Sequence, residues 1–367
     1  VILPETSETL QLGKNMFYNC NDLKYVYLPS TVTGIANVFD NCKASFRIEI
    51  SDENPSLKAH ESAQFIINEI KNTDENGEET VTGYSIAYVF GQITGANGGY
   101  TEMEIPEHTL TVKKATATSE AVTKAVPCLE IQANAFANQL YITKVTIPYT
   151  VTAIGMGAFN GCAALQEVEF GYDNGKNNLT TLGVGGTTNT STIKGVFENC
   201  SSLTKLILPN NEINADENGN SQLYRNMFTR CLALEKVGVT PTDYNKIADI
   251  DYGVYLPANT SVLGEQADNT GINYGVFKEC FSLKEVTLPA NLTYLGNATF
   301  YSCFALETIT YAGSTEESNA LPNSIETIGT GSFASTLSLR TVRLPKNAKL
   351  ERLPIRLFEG SGIETIT

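Results

Sequence analysis

The feature that most constrains this chain is an internal repeat. Residues 195–209 reduce to the template F-x-x-C-x-x-L-x-x-L-x-L-P, and Phe277, Cys280, Leu283, Val286, Leu288 and Pro289 return it at identical spacing, as do Phe17, Cys20, Leu23, Val26, Leu28 and Pro29. A second half follows each proline, shown cleanly by residues 148–159: an apolar residue about three positions on, another three later, then a small residue and the next Phe. The shortest Phe-to-Phe intervals are 22 or 23 residues (Phe17 to Phe39, Phe136 to Phe159, Phe277 to Phe300). A fixed period of this length is the sequence signature of a solenoid, in which each coil buries too little alone and neighbours share one core. A chain of 367 residues then needs no division into two or three globular domains.

The repeat Phe positions are 17, 39, 136, 159, 197, 228, 277, 300, 333 and 358, giving about ten coils. Within a coil, apolar and polar residues alternate at V-x-L, which predicts a strand there, ended by a proline that cannot donate to a ladder. After the proline the apolar spacing is too short for a helix and predicts an extended turn, with a helical or 3-10 turn near A-F-x-x-C. Three regions follow from the interruptions: coils over 1–50, a β-rich insertion over 51–126, and coils over 127–367 broken near 171–192, 210–224, 240–274 and 312–320. Val81 to Gln92 and Tyr100 to Lys113 are rich in strand formers, and Ile105-Pro106 marks a degenerate coil inside the insertion. The four smaller interruptions all precede a repeat Phe and are expected on one flank. Val1-Ile-Leu-Pro4 matches the end of a repeat and residues 362–367 stop within one, so both ends are expected to continue in a longer protein.

Seven of the eight cysteines (Cys20, Cys42, Cys162, Cys200, Cys231, Cys280, Cys303) stand three residues after a repeat Phe; only Cys128 does not. One repeat position becomes one column, coil above coil, at the ~4.8 Å spacing of paired strands. Parallel side-chain vectors suit disulfides badly, so the column reads as buried thiols rather than bridges. No C-x-x-C pair points to a metal.

At this point the residues carry a resemblance. Residues 158–170, Ala-Phe-Asn-Gly-Cys-Ala-Ala-Leu-Gln-Glu-Val-Glu-Phe, with L-P after the strand in most other coils, resemble the BspA-like leucine-rich repeats, a class of bacterial and protozoal surface proteins. The match covers 1–50 and 127–367. Gln139, Thr336 and Ser361 replace the cysteine in their coils. The resemblance implies a leucine-rich-repeat solenoid, a right-handed superhelix with a parallel β-sheet on one face. It also implies export, cell-surface display, and adhesion to host extracellular matrix proteins or to bacterial surface proteins. It carries no fixed catalytic or ligand-binding motif.

Chemistry is sparse in the residues themselves. His60 and His108 are the only histidines, and neither has a partner at catalytic or ligand spacing. Asn214-Ala-Asp216-Glu-Asn218-Gly219 resembles half of an EF-hand loop, but Arg225 stands where the bidentate Glu is required, and Gly83 does so for residues 72–77. Both read as polar hairpin turns. No catalytic residue, cofactor or metal is assigned. A net charge of −15, from 25 basic and 40 acidic residues, weighs against nucleic acid and anionic membrane surfaces. No apolar run approaches the ~18 residues of a membrane helix.

The best-defined surface is the outward side of the strand column. It presents Tyr25 and Tyr27, Arg47 and Glu49, Lys144, Glu167 and Glu169, Lys205 beside Ile207, Lys236, Glu285, Thr308 and Thr310, and Arg343. Solenoids use this face for partners; a solvated face of threonines and mixed charge accounts for the same row. Tyr25 and Tyr27 are the aromatic anchors within it. The leading expectation is a non-catalytic, extracellular recognition module for a protein partner. A glycan-binding surface protein is the alternative, lowered by the absence of Trp and by scattered Tyr. A spacer presenting another domain is a third.

Overall fold

The computed structural model describes residues 1–13, 16–20, 22–33, 35, 38–39, 42, 47–51, 53–55, 57–59, 65–89, 93, 99–113, 122–183, 194–264, 274–315, 319–347 and 349–367. Strands dominate, and the one helical segment among the described residues is the 3-10 turn Tyr244–Asp249. The first strands are β1 (Tyr25–Leu28) and β2 (Arg47–Ile50), then β3 (Leu57–Ala59), β4 (Phe65–Thr73), β5 (Glu79–Val89), β6 (Thr101–Glu104), β7 (His108–Lys113) and β8 (Val122–Ile131). There follow β9 (Ile142–Ile147), β10 (Ala153–Ile154), β11 (Glu167–Phe170), β12 (Thr181–Leu182), β13 (Lys205–Ile207), β14 (Ser221–Leu223), β15 (Lys236–Val239) and β16 (Gly253–Leu256). The last are β17 (Thr260–Leu263), β18 (Glu285–Leu288), β19 (Tyr294–Leu295), β20 (Thr308–Tyr311), β21 (Thr327–Ile328), β22 (Thr341–Val342) and β23 (Thr365–Ile366).

The V-x-L segments pair in parallel, coil to coil, as the period requires. The largest such sheet has eight strands in the order β20-β18-β15-β16-β13-β11-β9-β6. The half-coil after each proline differs from expectation. Instead of extended turns alone it forms short strands with their own parallel ladder, β14-β17-β19-β21, and a β8-β10-β12 run in the seven-stranded sheet. Parallel sheet therefore lies on two sides of the stack, not one. Two-residue strands suffice because each coil repeats the same φ/ψ path, so its backbone groups meet the coil above.

Each turn at A-F-x-x-C puts the Phe ring directly over the next. Phe136, Phe159, Phe197, Phe228, Phe277, Phe300, Phe333 and Phe358 form a ladder with centroids 5.1–5.8 Å apart and planes within 20°. Phe17 and Phe39 stack likewise at 5.3 Å. The residue before the cysteine takes left-handed backbone in coil after coil: φ is 59° at Asn19, 61° at Asn138, 76° at Gly161, 62° at Asn199, 61° at Arg230, 60° at Glu279 and 59° at Ser302. Only Gly adopts that region freely, with Asn the best tolerated substitute. At Gly161 an added Cβ would also lie 2.3 Å from Asn138 Oδ1. Gly161→Ala is expected to lower stability by about 1–2 kcal/mol, read from the urea midpoint.

The cysteine column has a specific bonding role. Six of the seven column thiols donate to the carbonyl of the repeat Phe one coil upstream: Cys42 to Phe17 (3.0 Å), Cys162 to Phe136 (3.1 Å), Cys200 to Phe159 (3.2 Å), Cys231 to Phe197 (3.3 Å), Cys280 to Phe228 (3.1 Å) and Cys303 to Phe277 (3.2 Å). A small hydrophobe with a weak donor fits this place, which explains why Cys recurs. Thr336 and Ser361 turn their hydroxyls to Phe333 and Phe358 of their own coils instead. All eight cysteines are free thiols.

The strand-rich stretches of the insertion form β5, β6 and β7 over their described residues, with residues 90–92 outside the described residues. β4 and β5 pair antiparallel, and β5 joins β8 in parallel. Their side chains divide between two cores: Ile66, Ala87 and Tyr88 pack with the coils of Val26 and Phe39, whereas Phe65, Ile67, Ile86 and Val89 join the main core. Phe39 meets Tyr88 at 6.2 Å and Phe65 meets Phe136 at 6.0 Å, so aromatic contacts cross the insertion on both sides. Met103 and Ile105 lie in the main core, and β6 runs in register with β9. The degenerate coil ending at Pro106 is thus a strand of the main sheet. Interruption residues 184–192, 265–273 and 316–318, and His60, lie outside the described residues.

Candidate functional site

Strand order breaks sequence order once, and the break builds a site. β16 follows β15 in the chain yet sits between β13 and β15, parallel to both. Parallel neighbours need a crossover from the end of one strand to the start of the other. The core fills one face of the sheet, so residues 240–252 return across the open face as a strap. The 3-10 turn lies in this strap, with Asp243 capping it through Asn245 N (3.1 Å). None of its residues is buried.

The strap meets the sheet through aromatic contact. Tyr244 packs on Tyr172 with centroids 4.5 Å apart. Burial, with a smaller effect of Tyr244, pushes the Tyr172 phenol up to about 12. A groove of about 390 Å³ remains between strap and sheet. Its floor is Thr146, Glu169, Lys205 and Ile207; its wall is Tyr172, Tyr244, Ile247 and Ala248. Ile207 points outward from its strand but is only 7% exposed.

A charge ladder runs along the floor. Lys144, Glu167 and Lys205 are in register on β9, β11 and β13. Lys144 Nζ lies 2.9 Å from Glu169 and 3.6 Å from Glu167, and Lys205 Nζ lies 2.8 Å from Glu167. The bond to Glu169 raises the Lys144 ammonium above its ordinary value, opposed by burial and aided by Glu167, Glu169 and Glu102. Partial burial works against the Glu167 carboxylate, but the bond from Lys205 and the two lysine charges hold it below the usual range. Three carboxylates (Glu102, Glu167, Glu169) thus face two ammonium groups.

Of the sequence-predicted residues, Glu169, Lys205 and Ile207 line the groove, and Lys144 and Glu167 are tied to them. The others do not line it. Tyr25, Tyr27, Arg47 and Glu49 pair on β1 and β2, where the Tyr25 hydroxyl donates to Glu49 at 3.2 Å; the side chain of Arg47 lies outside the described residues. Lys236 and Glu285 are loosely paired at 3.8 Å, and Arg343 bridges Ala320 on a later coil.

Sequence reasoning passed over Tyr172, Tyr244, Ile247, Tyr252 and Tyr255. Val254-Tyr-Leu-Pro257 carries the V-x-L-P strand signature and marks β16. Tyr172 and Tyr244 sit in interruptions, where no period exists to orient them. Tyr255 is in register with Ile207 and with Gly238, and its ring fills the space above Gly238, whose added Cβ would be 2.5 Å away. Lys236 lies over Tyr252 at 5.8 Å. Tyrosines scattered in sequence are gathered here.

The other candidate chemistry takes structural roles. Asp216 Oδ1 accepts from Asn218 N and Asn220 N at 2.9 Å, and Asp74 Oδ1 from Asn76 N and Glu78 N. These backbone bonds hold both carboxyls below the usual range, as hairpin turns require. His108 Nδ1 lies 3.2 Å from Glu107 on the surface. Among the described residues no group of three His, Cys, Asp or Glu side chains is placed to hold a metal, and no helix is long and apolar enough to cross a membrane.

The family model of the BspA type leucine-rich repeat region matches in six copies over residues 1–88, 129–249, 178–307 and 311–367. The chain belongs to this family. Solved structures similar to this BspA-type chain include a leucine-rich repeat protein of T. pallidum (18% identity, TM-score 0.44, 74% of this chain and 87% of that one). A leucine-rich cell surface protein of Faecalibacterium prausnitzii follows (20%, TM-score 0.39, 81% and 76%). A leucine-rich repeat protein of Eubacterium ventriosum is matched over 99% of this chain and 65% of its own (19%, TM-score 0.41). No curated protein matches.

Proposed function

We propose that this BspA-type chain is a non-catalytic, cell-surface or extracellular recognition module that binds a protein partner in the strapped groove of its strand face. The supporting observation is the groove itself: apolar and aromatic on its wall, charged along its floor, and roofed by a 3-10 turn none of whose residues is buried. Aromatic side chains in a concave, partly desolvated place are where binding energy concentrates. Host extracellular matrix proteins and bacterial surface proteins are the partner classes. The frame carrying the groove is a right-handed superhelix of about ten coils, with residues 51–126 joining the coils of 1–50 to those of 127–367. A glycan is the second reading, favoured by Tyr172, Tyr244, Tyr252 and Tyr255 lying on one face.

The test is a binding screen of the intact chain against immobilised matrix proteins, bacterial surface proteins and a glycan array. It is repeated with the double variant Tyr244→Ala, Ile247→Ser, whose positions are not buried and whose loss leaves the core intact. A protein ligand weakened about tenfold or more in the variant is the expected outcome; equal binding by both removes the groove, and a glycan ligand transfers the site to the second reading. Deleting residues 51–126 would not serve, because Phe65, Tyr84 and Met103 belong to the core.

A further inference from the structure

A second surface repeats with the coils. The position after the column residue faces solvent in the coils of Cys231, Cys280, Cys303 and Thr336. In four successive coils it holds Leu232, Phe281, Phe304 and Leu337, which are 38%, 40%, 38% and 50% exposed. Their coils are contiguous, since Phe228, Phe277, Phe300 and Phe333 stack in turn. Phe281 and Phe304 themselves stack at 4.9 Å and 12°. The stripe is bounded by Ser201 and Gly362 at the same position in the coils on either side. Scattered exposed apolar residues need no explanation, but a continuous ridge does.

The ridge reads the same in both directions, Leu-Phe-Phe-Leu. Three residues further along each coil, beyond a buried Leu, runs a row of exposed charges of alternating sign, Glu235, Lys284, Glu307 and Arg340, in which Lys284 also pairs with Glu235 at 3.1 Å and Arg340 with Glu364 at 3.7 Å. Between them the residue after the ridge is always small (Ala233, Ser282, Ala305, Ser338). A two-fold axis placed between Phe281 and Phe304 sets Leu232 of one copy against Leu337 of the other, and Phe281 against Phe304. The same axis sets Glu235 against Arg340 and Lys284 against Glu307, so every charge meets its opposite. A two-fold axis along the stack would instead put the two charge rows on opposite sides of the ridge, where they do not meet. A self-complementary patch in which residue i meets j and j meets i is the requirement of an isologous dimer.

We propose that this ridge is a homodimer interface in which two copies pack antiparallel, Leu-Phe-Phe-Leu on Leu-Phe-Phe-Leu. Four coils span a short face, so the dimer is weak, with Kd on the order of 100 μM. Sedimentation velocity of the whole chain from about 5 to about 500 μM, a range that brackets this value, tests this. The wild type is expected to shift from monomer toward dimer across the range. Phe304→Ser, Lys284→Glu and Glu307→Lys, each with an unchanged thermal midpoint, are expected to weaken association by about tenfold or more. The double variant Lys284→Glu, Glu307→Lys restores opposite charges across the axis and is expected to recover dimerisation. A wild type that stays monomeric, or a double variant no better than its parents, overturns the proposal.

Discussion

The folded chain is expected to unfold cooperatively as pH passes about 10, driven by its buried thiols. Cys162, Cys200, Cys231, Cys280 and Cys303 are fully buried, and Cys128 nearly so; burial raises all six thiols, to about 12 for Cys128, Cys162 and Cys280. Below the ordinary value of 9.0 both folded and unfolded chains keep these protons, and the thiols leave stability unchanged. Above it the unfolded chain releases them while the folded chain holds them, so the unfolded state binds fewer protons and stability falls with rising pH. Each thiol contributes about 1.4 kcal/mol per pH unit, so six remove about 8 kcal/mol by pH 10, comparable with a typical stability of about 5–15 kcal/mol. Circular dichroism against pH checks this. Cys200→Ser with Cys231→Ser removes two of the six ionisations and is expected to flatten the slope by about a third. Native sheet signal persisting at pH 11 would contradict buried thiols.

The second large effect lies in the Phe ladder. Phe277 has a ring on each side, Phe228 at 5.3 Å and Phe300 at 5.7 Å, and is wholly buried. Phe277→Ala loses the ring's burial and both stacks and opens a cavity, an expected cost of about 3–5 kcal/mol. Phe358 has Phe333 at 5.7 Å and is only partly buried; Phe358→Ala is expected to cost about half as much. Urea unfolding of both variants measures the difference. Equal costs would show that the ladder does not act through neighbour contacts.

The fold was legible wherever the period holds, because a repeated residue in a stack meets its own kind. Phe, Cys and V-x-L-P positions give columns directly, and the Asn or Gly before the cysteine follows from its left-handed backbone. Two things escaped. The post-proline strands are two to four residues long, too short for alternation to show. The order of β15 and β16 is not written in any local pattern: Leu256-Pro257 announces a strand, but only packing reveals that it slips back beside β13. The groove depends on that slip. Lys144, Glu167, Glu169 and Lys205 could be placed on the outward face from their register alone, whereas Tyr172 and Tyr244 meet only because the strap crosses it.

The most direct test of recognition in the strapped groove is hydrogen–deuterium exchange of the whole chain, alone and saturated with the protein captured in the screen. Slowed exchange confined to residues 168–172, 205–207 and 244–250 is the expected result. Protection on β1 and β2, or on the second ladder of β17, β19 and β21, with the strap unchanged, would contradict it.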